Sequence, residues 1–574
     1  MQNAVAGSRV FKPLHTLSIF FLLAFTCIGA AQAQVVLAPS TPQVGSSNPV
    51  TAEPPIPQPN VKPCIVPLLT NAAFASFSPA TFNYAPPAAC PGPWAKVILT
   101  ADFTVSEGIQ FDRSAWFYLG DINLFFGSTA EPTPSHSPSW HIERDVTDLT
   151  SVLETAQPGS ALIGNTVTSV DNGIIFANAA LEFFPAEPRT LAPVTPDIVV
   201  GLSSGSNPDV LNDTASLLTQ TVNLPRNVEK VYLDVFAQNQ IDDEFYYLCV
   251  PNNLLSSPVA ECGNSAFRET EISIDGQSAG VAPVFPFFFT GGLDPNLWIP
   301  IPGVQTLNFK PYRVDLTPFA GVLGDGNQHT VAISVFDAND FFNATANLLV
   351  FTDHGSREVT GGLISNALSA APDPVINENL TTSSNGDISG TVSVGSNRSF
   401  TISGFVNTSH GRVETTVEQQ VNFLNTQTYI DNADTFSEDV VQASTVDSQT
   451  TTQEGTLRQT VSNHVSYPLT VDFAQTENAT SGVITQVTSV NQQNQQTDTK
   501  ALNGFPLFES STQEQVIATD SVPVNAAGAP TGSSSASFQS KDSLGNCFSR
   551  SLTSENQVLK SVTDGKGCQT RSPF

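Results

Sequence analysis

The sequence predicts an all-β fold, and three features of the chain support this prediction. Short runs rich in Val, Ile, Phe, Thr and Tyr, such as AKVILTADFTV, HTVAISVFD and TANLLVFTD, alternate with Gly, Pro, Asn and Asp. Turn signals recur roughly every eight to twelve residues, and no long window has a convincing helical period. Because sandwiches and jelly rolls are the usual way to close so many antiparallel strands, we expect that architecture.

Length and charge limit the class of protein. The chain has 574 residues, enough for roughly two to four domains. Its formal net charge is −30, with only 22 Lys and Arg, which argues against nucleic acid or an anionic membrane as a partner. Charged residues make up 13% of the chain, so the surface depends on uncharged polar residues that keep their character at low pH. This favours an acidic habitat, with an ordinary acidic exported protein as the alternative.

The N-terminus predicts export through a cleavable signal peptide over residues 1–33. Arg9 and Lys12 precede an apolar stretch at 17–30, and Ala31-Gln32-Ala33 fits a cleavage site. The apolar stretch is too short to span a bilayer. We therefore expect a bacterial type of signal and a soluble product, secreted or periplasmic.

The cysteines predict disulfides. Cleavage removes Cys27 and leaves an even number, six, in an oxidising compartment. Six cysteines allow fifteen pairings, and we favour local pairing because short loops close most readily. The favoured pairs are Cys64 with Cys90, Cys249 with Cys262, and Cys547 with Cys568. No thiol would then be free, and the scattered histidines do not suggest a metal site.

Two Pro-rich stretches, at 183–202 and 365–386, suggest domain boundaries. We predict an extended Pro-, Ser- and Thr-rich lead-in at 34–63, an N-terminal domain at 64–190, a second domain at 191–365 and a β-rich C-terminal domain at 366–574. The last domain alternates polar and apolar residues with a period of two, which indicates a sheet with one buried face. We expect it to support the other domains or to dock substrate.

Acidic and aromatic residues concentrate in five stretches. Carboxylates beside Trp and Tyr suit a carbohydrate site, because sugar C–H faces stack on rings and carboxylates accept hydroxyl hydrogen bonds. Paired carboxylates also suit acid/base catalysis. The alternatives to a functional site are that the acidic residues are solvated in loops and that the aromatic residues pack in the core. The stretches are FDR (111–113), STAEP (128–132), SWHIERDVTDL (139–149), NQIDDEFYYLC (239–249) and FPFFFTGGLDPNLWIPIPG (285–303).

The first stretch lies in GIQFDRSAWFYLG (108–120), which we interpret as a strand. Because strand side chains alternate, one face would carry Phe111, Arg113, Ala115, Phe117 and Leu119, and the other Asp112, Ser114, Trp116 and Tyr118. We predict that the first face packs in the core. We predict that the second face lines a cleft, with Asp112 at the floor of that cleft. The alternative is that Asp112 and Arg113 only pair with neighbours at the sandwich edge.

Five motifs in order give the chain a family resemblance. They are Phe111-Asp112-Arg113, the turn at 129–132, and the segments at 140–147, 225–247 and 287–301, followed by SYPLTV (466–471) and CFSRS (547–551). In these the chain resembles the peptide N-glycanase A family of secreted acidic glycoamidases. It departs from the family pattern at Ile241-Asp242-Asp243, where Asn-Asp is expected, and at Tyr246, where Trp is common.

The resemblance implies two side-by-side jelly-roll β-sandwiches with acidic residues in the cleft between them. It implies an enzyme that hydrolyses the amide bond between asparagine and the proximal N-acetylglucosamine of N-glycosylated peptides and glycoproteins. The products would be aspartate and a glycosylamine. We expect acidic working pH, no cofactor, no metal and a monomer.

As a hypothesis, we assign catalytic and binding roles to individual residues. Asp112 is the principal catalytic carboxylate, Glu244 and Glu143 are supporting groups, and Arg113 stabilises the oxyanion or fixes the carboxylate geometry. We expect Trp116, Trp140 and Tyr246 to stack on sugar. Further substrate-binding candidates are Glu131, Asp145, Asp243 and Trp298.

Other classes of function remain as alternatives. A two-carboxylate glycoside hydrolase would cut between the two N-acetylglucosamines. A non-catalytic carbohydrate-binding β-protein would bind glycan without turnover. A serine hydrolase has little support, since the sequence has no G-x-S-x-G elbow.

Overall fold

The computed structural model describes residues 41–203, 205–565 and 568. These residues form five antiparallel sheets, which confirms the all-β prediction. The predicted signal peptide and its cleavage site lie outside the described residues.

The first two sheets form a jelly roll. One sheet has the strand order β1-β8-β3-β6 and the other β2-β7-β4-β5, which is the order of a double-sheet jelly roll. The apolar faces of both sheets contribute to one buried cluster, which includes Phe103, Phe117 and Phe183. The strands are β1 (Cys64–Phe74), β2 (Ala80–Tyr84), β3 (Trp94–Val105), β4 (Ser114–Leu119), β5 (Ile122–Ser128), β6 (Ser139–Asp145), β7 (Gln157–Ile163) and β8 (Ile175–Pro185).

The next two sheets repeat the same topology. Their strand orders are β10-β17-β12-β15 and β11-β16-β13-β14, with β9 added beside β17. The structure thus confirms two jelly rolls. The strands are β9 (Ile198–Gly201), β10 (Asp209–Leu211), β11 (Leu218–Val222), β12 (Val228–Gln240), β13 (Glu269–Ile274), β14 (Gln277–Pro283), β15 (Tyr312–Asp315), β16 (His329–Phe336) and β17 (Phe341–Thr352).

The fifth sheet is an antiparallel meander of long strands from β18 to β28, with β19 beside β20. Buried and exposed positions alternate along β20 and β21, as the period-two pattern predicts. Strand β18 crosses the predicted boundary at 365–366. The strands are β18 (Thr360–Asn366), β19 (Val375–Thr382), β20 (Ile388–Thr408), β21 (Gly411–Asp431), β22 (Thr435–Glu454), β23 (Leu457–Glu477), β24 (Ile484–Leu502), β25 (Phe505–Pro523), β26 (Thr531–Asp542), β27 (Cys547–Glu555) and β28 (Val558–Asp564).

Helices in the described residues are short and lie in the connections. The two α-helices are α1 (Thr150–Leu153) and α2 (Ala320–Leu323). The 3-10 helices are Thr147–Leu149, Ile241–Leu248, Asn252–Leu254, Pro295–Trp298 and Thr317–Phe319. Two of these, Ile241–Leu248 and Pro295–Trp298, flank the site described below.

Polar side chains of β4 join the two jelly rolls. Tyr118 Oη donates to Thr345 Oγ1 at 2.8 Å, and Gln238 Nε2 donates to Ser114 Oγ at 2.9 Å. The opposite face of β4 carries Phe117, which is buried in the first core as predicted. The face predicted to form a cleft wall is therefore mainly an interface between the jelly rolls.

Three disulfides close in the predicted local pairing. The pairs are Cys64–Cys90, Cys249–Cys262 and Cys547–Cys568. The second lies directly after the 3-10 helix Ile241–Leu248 and fixes the chain at its end.

Candidate active site

Three carboxylates from both jelly rolls meet at their junction. Asp112 precedes β4 and Glu131 follows β5, so both belong to the first jelly roll. Glu244 lies on the 3-10 helix that follows β12 of the second. All three side chains are half-buried, and each of Asp112 and Glu131 raises the pKa of Glu244 by its charge. We call Asp112, Glu131 and Glu244 the carboxylate cluster.

Asp112 lies in a loop, and this corrects the prediction of a strand over 108–120. Strand β4 begins at Ser114. The backbone N–H of Asp112 donates to Glu131 Oε1 at 3.1 Å, and that of Arg113 donates to Thr129 Oγ1 at 2.9 Å. Because side chains from beyond β5 accept both N–H groups, this part of the chain needs no ladder partner.

A buried ion pair positions Glu244. The adjacent Asp243 is fully buried, and its Oδ1 accepts from Arg268 Nε at 2.8 Å. Its Oδ2 accepts from the backbone N–H groups of Asn339 and Asp340, each at 2.8 Å. Asp243 thus anchors the helix to the second jelly roll, and the structure does not support its predicted contact with substrate.

Two glycines border the carboxylate cluster. A Cβ atom on Gly291 would lie 2.4 Å from Glu131 Oε1 and 2.7 Å from Asp112 Oδ1, so only glycine fits there without displacing them. A Cβ atom on Gly292 would lie 3.1 Å from Glu244 Oε1. The loop is held across the junction, since Thr290 Oγ1 donates to the carbonyl of Thr129 at 2.8 Å.

Burial and mutual repulsion keep protons on the cluster. Desolvation and the Asp112 charge raise the pKa of Glu131 to about 8. Desolvation and the charges of Asp112 and Glu131 raise the pKa of Glu244 well above its usual range. Burial also raises the pKa of Asp112, but a hydrogen bond from Glu131, the charge of Arg113 and the Gly291 N–H oppose that rise. Asp112 is therefore the member that ionises most readily.

Arg113 acts on the cluster through its charge. Its Nη2 donates to Gln110 Oε1 at 2.7 Å, and its Cζ lies 5.7 Å from the centre of the Phe111 ring. The Arg113 charge opposes the rise in pKa of both Asp112 and Glu131. Phe111, predicted to face the core, is 53% exposed beside Asp112 and offers an open ring.

Two predicted acidic residues have other partners. Glu143 Oε2 accepts from the backbone N–H of Ile56 at 2.6 Å, and its Oε1 lies 3.6 Å from His141 Nε2. Asp145 pairs with Lys96 at 2.8 Å and accepts from the backbone N–H of Thr147 at 3.0 Å. Neither is hydrogen-bonded or ion-paired to the carboxylate cluster in the described part of the chain. The structure therefore does not group them with Asp112.

The aromatic candidates divide by burial. Trp140 and Trp298 are each 2% exposed and Tyr246 is 1% exposed, so none has a ring face free for a sugar. Trp140 stacks on Phe103 in the first core instead. These three predicted stacking or binding roles are corrected on that ground. Trp116 remains half-buried, and its Nε1 donates to Asn207 Oδ1 at 3.2 Å.

Some contributors to the site have no role in the sequence prediction. They are Gln110, Thr129, Thr290 and the two glycines, which act by fixing the backbone of the cluster. The signal available was the pair of glycines after a run of Phe and Thr, since a glycine pair marks a close approach. Nothing in the sequence says that Asp112 and Glu131 are what approach it.

Neither a metal centre nor a membrane helix is found in the described ranges. Among residues 41–203, 205–565 and 568, no three or more His, Cys, Asp or Glu side chains are arranged to hold a metal ion. The same residues include no helix with the length and apolar character to cross a membrane.

Comparisons with solved structures give weak similarity. Peptide:N-glycanase F of Flavobacterium meningosepticum is 13% identical with a TM-score of 0.34, over 51% of this chain and 96% of that one. A structure of PNGF-II is also 13% identical with a TM-score of 0.36, over 51% of this chain and 66% of that one. Similarity at this level does not establish a common fold.

The similarity to known proteins in sequence is stronger than the similarity in structure. A peptide-N4-(N-acetyl-beta-glucosaminyl)asparagine amidase A from Prunus dulcis is 29% identical over 396 residues, 65% of this chain and 67% of that relative. The profile of the family described as peptide N-acetyl-beta-D-glucosaminyl asparaginase amidase A matches residues 54–367, more than half of the chain. That range contains both jelly rolls and the whole carboxylate cluster. The chain therefore belongs to the peptide N-acetyl-beta-D-glucosaminyl asparaginase amidase A family.

Proposed function

We propose that this protein is a peptide N-glycanase. It hydrolyses the amide bond between asparagine and the proximal N-acetylglucosamine of N-glycosylated peptides and glycoproteins. The observation that carries the proposal is the carboxylate cluster at the junction of the jelly rolls, within the part of the chain that matches the family. Amide hydrolysis needs a base for water and an acid for the leaving nitrogen, and a cluster that shares protons supplies both.

The order of ionisation assigns the roles within the cluster. Asp112 ionises most readily, so its carboxylate takes a proton from water as the water oxygen attacks the side-chain amide carbon. Glu244 has a strongly raised pKa, so it keeps its proton and gives it to the amide nitrogen as the C–N bond breaks. Glu131 stays protonated and donates a hydrogen bond to Asp112, which holds that carboxylate in place.

The products are an aspartyl side chain and a glycosylamine, which then loses ammonia. Arg113 stabilises the negative charge that develops on the amide oxygen, or holds Asp112 in its geometry. The open ring of Phe111 and the half-buried ring of Trp116 are the aromatic groups assigned to stack on sugar. Glu143 takes no part in the chemical step, because Ile56 and His141 hold its carboxylate.

The setting of the reaction is part of the proposal. The signal sequence supports secretion or export to the periplasm. The net charge of −30 supports small glycopeptide and glycoprotein partners over nucleic acid or membrane, and we expect a monomer. The raised pKa values of Glu131 and Glu244 support an acidic working range, because both groups hold their protons there.

Mass spectrometry of a defined glycopeptide tests the proposal. We expect wild type to convert the glycosylated asparagine to aspartate and to release the whole glycan. Asp112→Asn should lower the rate by about 10²–10⁴-fold, which is the usual contribution of a general base. The matched control is Asp373→Asn, an exposed aspartate in a Pro-rich connection, which should keep full activity.

Other products would redirect the proposal. A peptide that keeps one N-acetylglucosamine would show glycosidase chemistry between the two sugars. A glycopeptide left intact across the pH range, yet bound, would show a carbohydrate-binding protein. Full activity in Asp112→Asn would refute the role of Asp112 as base while leaving the reaction established.

A further inference from the structure

A cavity lies where the two jelly rolls meet, beside the start of β5. Its volume is about 670 Å³. Its walls come from β5, β6, β12 and β17, and they include Asn123, Arg144, Asp234, Phe236 and Asn347. No member of the carboxylate cluster lines it.

The cavity lining carries one more basic than acidic residue, in a strongly acidic protein. Four of the chain's 22 basic residues line it: Lys96, Arg144, Lys310 and Arg313. Three of them have carboxylate partners, which are Asp145 for Lys96 at 2.8 Å, Glu53 for Lys310 at 3.5 Å, and both Asp148 at 2.9 Å and Asp234 at 2.7 Å for Arg313. Within the described ranges, Arg144 makes no ion pair.

Arg144 is half-buried and lines the cavity, and its guanidinium donates a hydrogen bond to no described residue. Its Nη1 is shielded from solvent and donates to no described residue. Its Cζ lies 5.0 Å from the centre of the Phe236 ring. Burial lowers the pKa of Arg144 to about 10, and the nearest opposing charge, Asp234, is already engaged by Arg313. An arginine that lines a cavity and has no counterion is suited to bind an anion there.

We propose that this cavity binds a small organic monocarboxylate, with its carboxylate on Arg144. A carboxylate matches the planar guanidinium through two parallel hydrogen bonds. A single charge suffices, because the other three cations of the cavity are already paired. A sugar acid and an acidic amino-acid residue both carry such a carboxylate.

The site is separate from the carboxylate cluster. Asn123 lies near the start of β5, whereas Glu131 follows its end at Ser128. The strand from Asn123 to Ser128 alone spans about 17 Å. Binding at this cavity can therefore be measured without a glycopeptide, and the result does not depend on the proposed amidase reaction.

Isothermal titration calorimetry of the full chain tests the proposal. The ligands are glucuronate and N-acetylglutamate amide, with glucose as the neutral probe. We expect one of the two carboxylates to bind wild type and glucose not to bind; which of them binds separates the sugar source from the peptide source. Arg144→Gln should weaken that binding by about tenfold or more, and Arg357→Gln, at an exposed arginine elsewhere, should leave it unchanged.

Three outcomes would overturn the proposal: neither carboxylate binds wild type, glucose binds as tightly as the acids, or Arg144→Gln binds as tightly as wild type. Thermal melting of each variant shows whether it is folded. If Arg144→Gln does not fold, Arg144→Lys keeps the charge but removes the planar guanidinium, and it should still weaken binding. Unchanged binding by Arg144→Lys would then count against the proposal.

Discussion

Gly291 leaves the space in which Asp112 and Glu131 lie against each other. A methyl group there would come within 2.4 Å of Glu131 Oε1 and 2.7 Å of Asp112 Oδ1, so both carboxylates must move in Gly291→Ala. A displacement of about 1 Å at reacting groups can cost about 10²-fold in rate. We therefore expect kcat/KM for a defined glycopeptide to fall by about that factor.

The matched control for Gly291→Ala is Gly362→Ala. Gly362 has no atoms within 4 Å of the position that a Cβ would take, and its backbone is in an ordinary strand conformation. This control should keep wild-type kcat/KM. If both variants are equally active, the carboxylates do not depend on the glycine for their position.

Glu131 should set the alkaline limit of activity. Its pKa is raised to about 8, so the group is protonated below that pH and loses its hydrogen bond to Asp112 above it. We expect kcat/KM of wild type to fall as pH rises through about 8. Glu131→Gln keeps a donor at every pH, so this variant should lose the fall in kcat/KM through about pH 8. An unchanged alkaline limb would show that Glu131 does not control it.

At the residue scale, the structure brings together three of the acidic candidates, Asp112, Glu131 and Glu244, whereas Glu143, Asp145 and Asp243 have other partners. Asp112 and Glu244 stand in motifs where a carboxylate adjoins turn residues, and a polar group at such a position is easily placed near solvent. Trp140 and Trp298 stand in similar motifs but are buried. Whether a ring packs in the core or faces a cleft depends on contacts that are distant in sequence.

At the scale of elements, the 3-10 helix Ile241–Leu248 depends on one buried ion pair. Asp243→Asn would leave the Arg268 charge buried without its counterion, at 2.8 Å from a neutral amide. The free energy of unfolding should fall by about 3–5 kcal/mol. Because Glu244 is the next residue, kcat/KM should fall as well. Chemical denaturation and steady-state kinetics measure the two effects.

The neighbouring Asp242 gives a control within the same helix. Its side chain is exposed, so Asp242→Asn should change stability by less than about 0.5 kcal/mol. If Asp243→Asn is as stable and active as Asp242→Asn, the ion pair does not hold the helix.

The same scale shows where strand prediction fails. The alternation over 115–119 correctly places Ala115, Phe117 and Leu119 in the core, because a strand has a period of two. It is wrong for Tyr118, predicted to face a cleft but buried between the jelly rolls. The start of the strand at Ser114 does not follow from the local sequence. It is set by Thr129 and Glu131, whose side chains accept the N–H groups of Arg113 and Asp112. Hydrogen bonds between residues this far apart in sequence cannot be predicted from a window of neighbouring residues.

At the scale of the molecule, the C-terminal sheet braces the loops that carry the site. Buried amide side chains on its inner face bond to the backbone of those loops. Gln427 Nε2 donates to the carbonyl of Tyr247 at 3.1 Å, and Gln492 Nε2 donates to that of Pro286 at 2.7 Å. The period-two pattern predicts this sheet and its buried face. It does not predict that polar residues would occupy that face, because their partners come from another part of the chain.

Buried carboxyls at the same interface should make the stability of the protein depend on pH. Asp520 of β25 is 3% exposed, and desolvation and the nearby Asp294 raise its pKa from 3.8 to about 8. A carboxyl with a raised pKa in the folded state contributes its full stability where it is protonated, below the unfolded pKa of 3.8, and loses it as pH rises towards about 8. We therefore expect the melting temperature of wild type to fall between about pH 5 and pH 8.

Asp520→Asn tests the origin of that fall. The amide is neutral at every pH, so the variant should melt about 2 °C or more above wild type near pH 8 and at nearly the same temperature near pH 4. Glu509→Gln, at an exposed position of the same strand, should follow the wild-type curve. Melting curves that remain parallel for wild type and Asp520→Asn would place the pH dependence in other carboxyls, of which Glu514, almost fully buried under the same sheet, is the next to substitute.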